Sequence, residues 1–485
     1  MIERHVRMCH GGDRSRDKLL NMTTSAPAFR FIDLFAGVGG FHAALKAFGG
    51  ECVYAVEIDK SAAAVYERNW GHKALGDITQ DASKDVMNVP AHEVLAAGFP
   101  CQPFSKSGAQ KGMDETRGTL YWNILQIITK RKPKVVLLEN VRNLAGPRHA
   151  HEWQVIIETL RDEGYRVSET PAIFSPHLLP PERGGRPQVR ERVFITATHN
   201  PTGMGDDLPV LPVALPSNSI DGWDPRQEWH LEDLLDDSHN IDGCNLTDSE
   251  RQWINAWDEW VQTWYEATNG RRPPGFPIWA DAWTDYDKVV KKFGFVPEYR
   301  DLMEADPDLP QWKAGHLAKN YDLYSLHRPW VDRWAKKWSV YTDFPPSRRK
   351  LEWQAQDTGS LWDTVMHFRP SGIRAKRATY LPALVAITQT SIIGPRERRL
   401  SPRETARLQG LPDWYDFGDQ RPAATYKQMG NGVNVGAVWH VLREHVERDA
   451  DVLKRTKAGR SLMEAVQAAP LSPDEILEKL KPIVR

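Results

Sequence analysis

Cysteine is scarce in this chain, with four among 485 residues, namely Cys9, Cys52, Cys101 and Cys244. Because no CxxC pair and no CxxC…HxxxH spacing occurs, neither a disulfide framework nor a zinc site is indicated, and we expect a reduced, cytoplasmic protein without a metal. No apolar run approaches the ~20 residues of a membrane span, and residues 1–28 lack the apolar core of a signal peptide. Export and membrane insertion are therefore not expected.

The chain also lacks an excess of charge of either sign. Its 63 Lys and Arg residues against 64 Asp and Glu residues give a formal net charge of −1. A polyanionic partner would therefore have to be bound by local basic patches, and arginine is concentrated in Arg183–Arg192 and Arg396–Arg407. With 41% hydrophobic and 26% charged residues the composition is that of a globular protein.

The first 200 residues alternate short apolar runs with segments of helical spacing. The apolar runs predict strands at Phe31–Phe35, Cys52–Glu57, Val94–Phe99, Val135–Glu139 and Arg192–Thr198. Helical spacing is found at Phe41–Ala47, Ser61–Asn69 and Gly118–Ile128. This alternation predicts an α/β fold of the Rossmann-like, doubly wound type with a mostly parallel sheet.

The composition of the sequence changes near Asn200. Fourteen of the 19 tryptophans lie between Trp223 and Trp362, which indicates a smaller, inserted domain. Within it, Thr247–Glu250 forms a capping box that begins a helix with tryptophans on one face. We interpret this stripe of tryptophans, at 253, 257, 260 and 264, as core rather than as a platform for stacking bases.

The C-terminal part returns to helices and turns. Ser401 caps a helix that has Pro402 in its first turn. Gln428–Val433 is predicted to be a tight glycine turn that opens the helix Val435–Glu447. Beyond Asp449 the chain is helical and polar, and it carries no chemistry that the pattern identifies.

A glycine-rich turn follows the first predicted strand within Phe31–Phe41. In a doubly wound sheet, backbone at this turn can approach a nucleotide-like ligand, although glycine turns also serve close packing of a strand and a helix. About 20 residues further on, Glu57 could accept hydrogen bonds from ribose hydroxyls, or could be a solvated strand end. Asp77 could accept from an adenine amino group, or could cap a helix.

Cys101 lies between Pro100 and Pro103, at the end of a predicted strand. The prolines stiffen the turn, and a thiolate is a strong nucleophile toward an electron-poor carbon once a nearby positive charge or dipole lowers its pKa. The small polar residues that begin at Ser105 are typical of a mobile loop. We expect the other three cysteines to be inert, small hydrophobic residues.

A partner for this thiol is predicted on a neighbouring strand. Glu139 ends an apolar run, so its pKa could be raised and it could act as a proton donor, or it could be a strand-end acid in solvent. Arg190 and Arg192 occupy alternate positions and would share one face of an extended segment. They could orient Glu139, hold a carbonyl oxygen, meet a phosphate, or lie solvated at the surface.

In their order along the chain these segments resemble the cytosine-5 DNA methyltransferase family. The resemblance covers Arg30 to Val435 except for about 200–365, where that family carries its variable target-recognition region. The segments that carry it are FIDLFAGVGGF, GFPCQPFS, ENV, QVRER, RLSPRETARLQGLP and QMGNGV.

The resemblance implies a reaction for this chain. Cys101 would attack carbon 6 of a flipped cytosine while Glu139 protonates or hydrogen-bonds ring nitrogen 3, and Arg192, supported by Arg190, would hold the cytosine carbonyl. Carbon 5 would take a methyl group from S-adenosylmethionine, which becomes S-adenosylhomocysteine, and loss of the carbon-5 proton would expel the thiol. Flipping the base costs roughly a few kcal/mol, and the loop Ser105–Arg117 would close over it.

The resemblance also implies the binding residues. Those for the cofactor would be Phe35, Gly37, Gly39, Glu57, Ile58, Asp77, Ile78, Pro100, Leu120 and Asn431. Those for DNA would be Ser105, Ser107, Arg117 and Gln188. Two further candidates for DNA contact, Arg369 and Arg374, come from the residues themselves and not from the resemblance. They lie in Phe368–Arg377, where the arginines and a glycine could approach phosphate and base edges, although a solvated loop is an alternative.

Because Asn431 lies far along the chain from Phe35, the catalytic domain would be discontinuous. We predict a catalytic domain of residues 28–199 with 424–450, a target-recognition domain of 200–395, a hinge and linking helix of 396–423, and a helical tail of 451–485. The expected substrate is duplex DNA, bound by a monomer that is functionally paired with a restriction endonuclease.

Two other functions compete with this interpretation. A transfer-RNA cytosine-5 methyltransferase of the same fold would be expected to lack a large insert, which this chain has. A DNA-binding regulator without catalysis would have no need of Cys101, Glu139 and Arg192.

Overall fold

The computed structural model describes residues 26–100, 119–203, 209–216, 222–385 and 390–480. Its strands are β1 (Phe29–Leu34), β2 (Gly50–Val56), β3 (Val94–Gly98), β4 (Val135–Val141), β5 (Tyr165–Val167), β6 (Ala172–Phe174), β7 (Gln188–Val189), β8 (Arg192–His199), β9 (Ile278–Trp279), β10 (Lys350–Gln354), β11 (Thr364–Arg369), β12 (Gly372–Arg377), β13 (Leu381–Pro382), β14 (Ile392–Ile393) and β15 (Arg398–Arg399).

Its α-helices are α1 (Gly40–Ala47), α2 (Lys60–Trp70), α3 (Ile78–Asp81), α4 (Leu120–Arg131), α5 (Ala150–Asp162), α6 (Asp248–Ala267), α7 (Ala280–Thr284), α8 (Tyr286–Phe293), α9 (Tyr299–Ala305), α10 (Gln311–Lys337), α11 (Val340–Asp343), α12 (Pro402–Leu408), α13 (Pro422–Asn431), α14 (Val435–Arg448), α15 (Ala450–Leu453), α16 (Lys457–Ala468) and α17 (Asp474–Lys479). In the part of the chain that the structure describes, none of these helices is both long and apolar enough to cross a membrane.

The chain folds into two compact units. The first unit combines residues up to 173 with 192–215 and with 435 onward, and the second unit combines 174–191 with 216–434. These limits differ from the predicted domain boundaries, because residues 396–434 group with the insert and the tail beyond 450 groups with the N-terminal part. The assignment of catalytic and recognition roles to the two units stays a prediction.

The first unit is built on a sheet with the strand order β2-β1-β3-β4-β8-β5, in which β6 also pairs with β8. Strands β2, β1, β3 and β4 are parallel, whereas β8 is antiparallel to β4 and to β5. The predicted α/β fold with a mostly parallel sheet is therefore confirmed. The chain leaves β1 toward β2 on one side and reaches β3 on the other, so a ligand crevice is expected at the carboxyl ends of β1 and β3.

Burial explains why the parallel strands read as apolar runs. Ile32, Leu95 and Val136 in three neighbouring strands have no exposed surface, as expected where helices cover both faces of a parallel sheet. Helix α4 begins at Leu120, later than predicted, and Thr119 caps it by accepting a hydrogen bond from the Trp122 amide at 3.4 Å. The predicted strands and helices of this unit otherwise agree with the structure within a few residues.

The C-terminal helices belong to the core of the first unit. The rings of Phe48 and Trp439 stack with centroids 3.5 Å apart, and the Trp439 indole donates to the Leu471 carbonyl at 3.1 Å. Leu462 and Leu477 from α16 and α17 are buried. The residues beyond 450 therefore present a polar outer surface but bury an apolar face.

The second unit contains a sheet with the order β15-β14-β11-β12-β10-β9. One face of this sheet packs against α6 and α10, in a core that includes the completely buried Trp257 and Trp260. This burial confirms the interpretation of the tryptophan stripe as core. The predicted capping box is confirmed as well, because Thr247 accepts from the Glu250 amide and Glu250 accepts from the Thr247 amide.

The prediction of a tight turn at Gln428–Val433 is wrong. Residues 428–431 form the last turn of α13, and only from Gly432 does the chain leave the helix. Pro422 in the first turn and the alanines that follow favour helix strongly enough to extend it through Gly430. The next helix begins at Val435, as predicted.

A buried polar cluster fastens α14 to β8 in the first unit. The Thr198 hydroxyl donates to Asp449 at 2.6 Å and lies 3.0 Å from Nε2 of His445, and the Arg448 guanidinium donates to the same carboxylate. His445 and Asp449 have no exposed surface. Burial lowers the pKa of His445 to about 3, so the imidazole is neutral at neutral pH.

We expect His445→Gln to flatten the pH dependence of stability. The pKa of His445 is lowered to about 3 in the folded chain, and an unfolded histidine has a pKa of about 6.5. Below about pH 6.5 the unfolded chain therefore binds a proton that the folded chain does not, and stability is lost as the pH falls toward 3. Urea unfolding near pH 7 and near pH 5, followed by circular dichroism, should show a free-energy difference smaller by roughly 2 kcal/mol in the variant. An unchanged difference would contradict this account.

Candidate active site

The glycine-rich turn after β1 has an unusual backbone. Phe35, Gly37 and Gly39 all have positive φ angles, of 55°, 54° and 87°. For Phe35 this left-handed conformation costs about 1–2 kcal/mol, and such strain is concentrated where a fold holds a ligand. The Ala36 amide donates to the Val56 carbonyl at 3.0 Å, which fixes the turn against β2.

Glu57 follows β2 and braces this turn. One carboxylate oxygen accepts from the Gly37 amide at 2.9 Å, and the other accepts from the Asp59 amide at 2.7 Å. Glu57 is therefore an organised part of the site and not a solvated strand end. Because a carboxylate has about four acceptor positions, two remain for hydroxyl groups such as those of a ribose.

The first two glycines of the turn, Gly37 and Gly39, serve different purposes. A Cβ at Gly37 would meet no atom within 4 Å, whereas a Cβ at Gly39 would lie 2.3 Å from the indole nitrogen of Trp70. Gly37 thus leaves open space for a ligand, and Gly39 allows close packing of the turn on Trp70. Beside them the side chain of Ile58 is 73% exposed, which leaves an apolar surface that a flat ring could cover.

The other residues of the first unit that were predicted to bind the cofactor have different surroundings. Asp77 caps α3 by accepting from the Thr79 amide at 2.9 Å, as the alternative interpretation predicted. The Ile78 side chain is buried in the core, so only its backbone could contact a ligand. Pro100 is exposed after β3, and Leu120 is the first residue of α4. A cofactor contact at each of these positions stays a prediction.

The acid of the site is placed by strand register. The parallel pairing of β3 with β4 puts Gly98 opposite Glu139, and the pairing of β4 with β8 puts Arg192 opposite Val141. Glu139 is only 8% exposed, and its carboxylate lies 2.9 Å from Nε of Arg192. Glu139 is therefore a buried, paired acid and not a strand-end acid in solvent. The expected rise in its pKa stays a prediction.

Asn140 is a site residue that the sequence did not identify. Its side-chain amide donates to the Phe99 carbonyl at 2.8 Å, and its oxygen accepts from the Val141 amide at 2.8 Å. The side chain thus ties the end of β4 to the residue two positions before Cys101. A signal was present, because Asn140 is a polar residue next to Glu139 at the end of an apolar run.

Cys101 itself lies outside the described residues, as do Ser105, Ser107 and Arg117 of the predicted loop.

Arg190 and Arg192 do not share the surroundings that their alternation predicted. The chain is interrupted between β7 and β8, so the two-residue repeat of one strand does not hold across them. Whereas Arg192 pairs with Glu139, the buried Arg190 guanidinium donates to the carbonyls of Gly430, Gly432 and Leu384, at 2.9, 2.6 and 3.1 Å. Within the second unit Arg190 therefore holds the backbone on both sides of Asn431.

Asp33 is a second residue that sequence reasoning missed. It lies within β1, has no exposed surface, and burial raises the pKa of its carboxyl well above the usual range. The His42 amide and the Tyr66 hydroxyl offset part of this rise. An acid in the middle of an apolar strand was the available signal, and it marks the strand that carries the glycine turn.

The predicted DNA-binding residues of the second unit differ in accessibility. Gln188 has no exposed surface. Arg369 and Arg374 lie in the hairpin of β11 and β12, so Phe368–Arg377 is not the solvated loop that was the alternative. Gly372 serves strand packing, because a Cβ there would lie 2.9 Å from the Cβ of Lys350. Contact of these residues with DNA stays a prediction.

Comparison with known proteins identifies the family. The family described as C-5 cytosine-specific DNA methylase matches residues 29–447. The type II methyltransferase M.AluI of Cellulosimicrobium cellulans is 54% identical, over 92% of this chain and 97% of that protein. The type II methylase M.HgiEI of Herpetosiphon aurantiacus is 41% identical, over 84% of this chain and 94% of that protein. The chain belongs to the C-5 cytosine-specific DNA methylase family and is a DNA (cytosine-5-)-methyltransferase.

Other similarities cover a smaller share of the chain or have a lower identity. M.HhaI of Haemophilus parahaemolyticus is 46% identical over 35% of this chain and 49% of that protein. Among solved structures, the S. pombe Dnmt2 methyltransferase has a TM-score of 0.44 and 16% identity, over 86% of this chain and 98% of that one. The family assignment therefore rests on the family match and on the relatives that cover most of the chain.

We expect Gly37→Ala and Gly39→Ala to have different effects. Gly37→Ala should weaken binding of S-adenosylmethionine, the cofactor that the resemblance implies, by about tenfold, because the new methyl group enters the open space beside Glu57. It should cost only about 1 kcal/mol of stability, for the positive φ angle. Gly39→Ala should cost about 2–3 kcal/mol or more, because the Cβ would overlap Trp70. Calorimetric titration and urea unfolding measure the two effects, and unchanged cofactor affinity in Gly37→Ala would contradict the assignment.

Proposed function

We propose that this chain transfers a methyl group from S-adenosylmethionine to carbon 5 of a flipped cytosine in a specific duplex DNA sequence, through a covalent adduct with Cys101. The observation that supports this most is the register of β3 and β4. It brings the turn that precedes Cys101 beside the buried pair of Glu139 and Arg192.

The residues around the glycine turn fit the cofactor. The space over Gly37 accepts a ligand, and the carboxylate of Glu57 has acceptor positions left for ribose hydroxyls. Exposed Ile58 offers an apolar surface for the adenine. The other residues that would hold the cofactor are Phe35, Gly39, Asp77, Ile78, Pro100, Leu120 and Asn431. When bound, S-adenosylmethionine supplies the methyl group.

The chain's own side chains carry the other steps. The Cys101 thiolate adds to carbon 6 of the cytosine while Glu139 donates a proton to ring nitrogen 3, which makes carbon 5 nucleophilic. Arg192 has donors along its whole guanidinium edge, so it can orient Glu139 and hold the cytosine carbonyl. After methylation, a water molecule takes the proton of carbon 5 and the bond from carbon 6 to sulfur breaks, which restores the thiolate, and ring nitrogen 3 returns its proton to Glu139.

The substrate must expose the target base. A cytosine inside a duplex is stacked, so it has to be flipped at a cost of roughly a few kcal/mol. We propose that the loop Ser105–Arg117 closes over the flipped base and that Ser105, Ser107 and Arg117 contact DNA there. Gln188, Arg369 and Arg374 are the proposed contacts in the second unit, and for Gln188 this requires that the buried side chain become accessible.

The biological setting is proposed from the relatives. M.AluI is named as a type II methyltransferase, and its similarity covers nearly the whole of both chains. We propose that this chain is likewise a modification enzyme, functionally paired with a restriction endonuclease, and that it acts as a cytoplasmic monomer. S-adenosylhomocysteine is the expected product.

Replacing the nucleophile tests the proposal. We expect the wild-type chain to transfer labelled methyl groups from S-adenosylmethionine to duplex DNA, and Cys101→Ala to abolish transfer while DNA binding stays measurable. Cys244→Ala is the matched control, because this cysteine is buried in the second unit and the proposed reaction does not use it. Transfer by Cys101→Ala would remove Cys101 from its role. Transfer by the wild type to RNA alone would favour the transfer-RNA enzyme, and DNA binding without any transfer would favour the regulator.

A further inference from the structure

The sheet of the second unit has a second face, opposite the one that packs against α6 and α10, and Val365 on this face is buried in a separate apolar cluster. Register places Lys350, Glu352, Arg369, Arg374 and Lys376 on this face, because paired residues of neighbouring strands point to the same side. Their neighbours along the strands, such as Leu351, Ile373 and Phe368, point into the core on the other side. We call the five charged residues the basic face.

Positive charge is in excess on the basic face. Four of its residues are cationic, and Glu352 pairs with Arg374, with Nε 2.6 Å from Oε2. Among the residues that the structure describes, the side chains of Arg369 and Lys376 form neither a hydrogen bond nor an ion pair. Burial lowers the pKa of both groups, and the neighbouring Arg374 lowers both further. Like charges are thus held close together here, and Glu352 offsets only part of the repulsion at Arg369.

Three aromatic side chains, Trp279, Trp312 and His316, lie next to the basic face, and we call them the aromatic corner. Trp279 on the edge strand pairs with Lys350, whose ammonium lies 5.5 Å from the centre of the indole ring. Trp312, near the start of α10, meets Trp279 edge-on at 6.4 Å and is 63% exposed. His316 packs against both indoles, and the charge of the nearby Glu352 acts to raise the pKa of its imidazole. The aromatic corner, Trp279, Trp312 and His316, is therefore continuous with the basic face.

We propose that the basic face and the aromatic corner bind the sugar–phosphate backbone of duplex DNA, independently of its sequence. This inference rests on the proposed function, which makes duplex DNA the substrate. In the described structure the side chains of Arg369 and Lys376 form no ion pair, and closely spaced phosphates would relieve the repulsion that Glu352 offsets only in part. The exposed indole of Trp312 offers an apolar surface to the deoxyribose and an N–H donor to a phosphate.

A partner protein is the alternative occupant. Exposed tryptophan and arginine are frequent at protein interfaces. A protein would, however, have to supply acids against a face with one carboxylate and four cations, whereas a nucleic-acid backbone supplies them along its whole length. Charge complementarity therefore favours DNA.

The test compares DNA affinity at several salt concentrations. One variant is the double substitution Arg369→Gln with Lys376→Gln, and a second is Trp312→Ala. The control for the double variant is Lys292→Gln, whose ammonium, like that of Lys350, lies over an aromatic ring, at 5.4 Å. The control for Trp312→Ala is Leu326→Ala, because Leu326 is an apolar residue on the same helix that is 69% exposed. Dissociation constants are measured by fluorescence anisotropy on the duplex that the wild type methylates and on a shuffled duplex of equal length.

The expected results differ between the two variants. The double variant should bind both duplexes about tenfold more weakly, and the slope of log K against log salt should decrease in magnitude by about 1.8, or 0.9 for each phosphate contact removed. Trp312→Ala should also bind both duplexes more weakly but keep the wild-type slope, because it removes no charge. The two controls should bind as the wild type does.

Other outcomes overturn the inference. Wild-type affinity and slope in the double variant would show that the basic face does not bind DNA and would favour a protein occupant. Weakening confined to the methylated sequence would show base recognition and not backbone binding. If the double variant fails to fold, as judged by circular dichroism, Lys350→Gln tests the same face from β10 with an expected slope change of about 0.9. A wild-type chain that transfers no methyl group to DNA would instead contradict the proposed function.

Discussion

The parallel pairing of β3 with β4 is the constraint on which the rest of the site depends. It sets Gly98 opposite Glu139, and the hydrogen bond from Asn140 to the Phe99 carbonyl fixes the chain just beyond that pair. The pairing of β1 with β3 sets Leu34 opposite Ala97, so the glycine-rich turn leaves the sheet at the same edge. The glycine-rich turn and the pair of Glu139 and Arg192 are thus neighbours because three strands end together.

Much of the first unit could be predicted because its signals are local. An apolar run that ends in a glycine turn or an acid identifies a buried parallel strand and its carboxyl end. Glu57 could be placed by its distance in sequence from the glycine turn, although its bonds to two backbone amides could not. The tryptophan stripe of α6 was predictable for the same reason, since helical spacing and a capping box lie within one segment.

The features that the sequence concealed depend on contacts between distant segments. The alternation of Arg190 and Arg192 was visible, but the interruption between β7 and β8 separates their partners. The six-stranded sheet of the second unit joins β9 to β10 across about 70 residues, and no local pattern encodes such a pairing. The continuity of the aromatic corner with the basic face follows from that pairing, since Trp279 and Lys350 become neighbours only when the strands meet.

We propose that the ends of β3 and β4 position Cys101 for its attack on the cytosine. The most direct test is the single-turnover rate of methyl transfer to duplex DNA by Asn140→Ala, with Asn143→Ala, an exposed residue of the following turn, as the control. Loss of the bond to Phe99 should slow transfer by about 10- to 100-fold, because small displacements of a reacting group are costly. The control should transfer at the wild-type rate. Transfer at the wild-type rate by a folded Asn140→Ala variant would contradict the account.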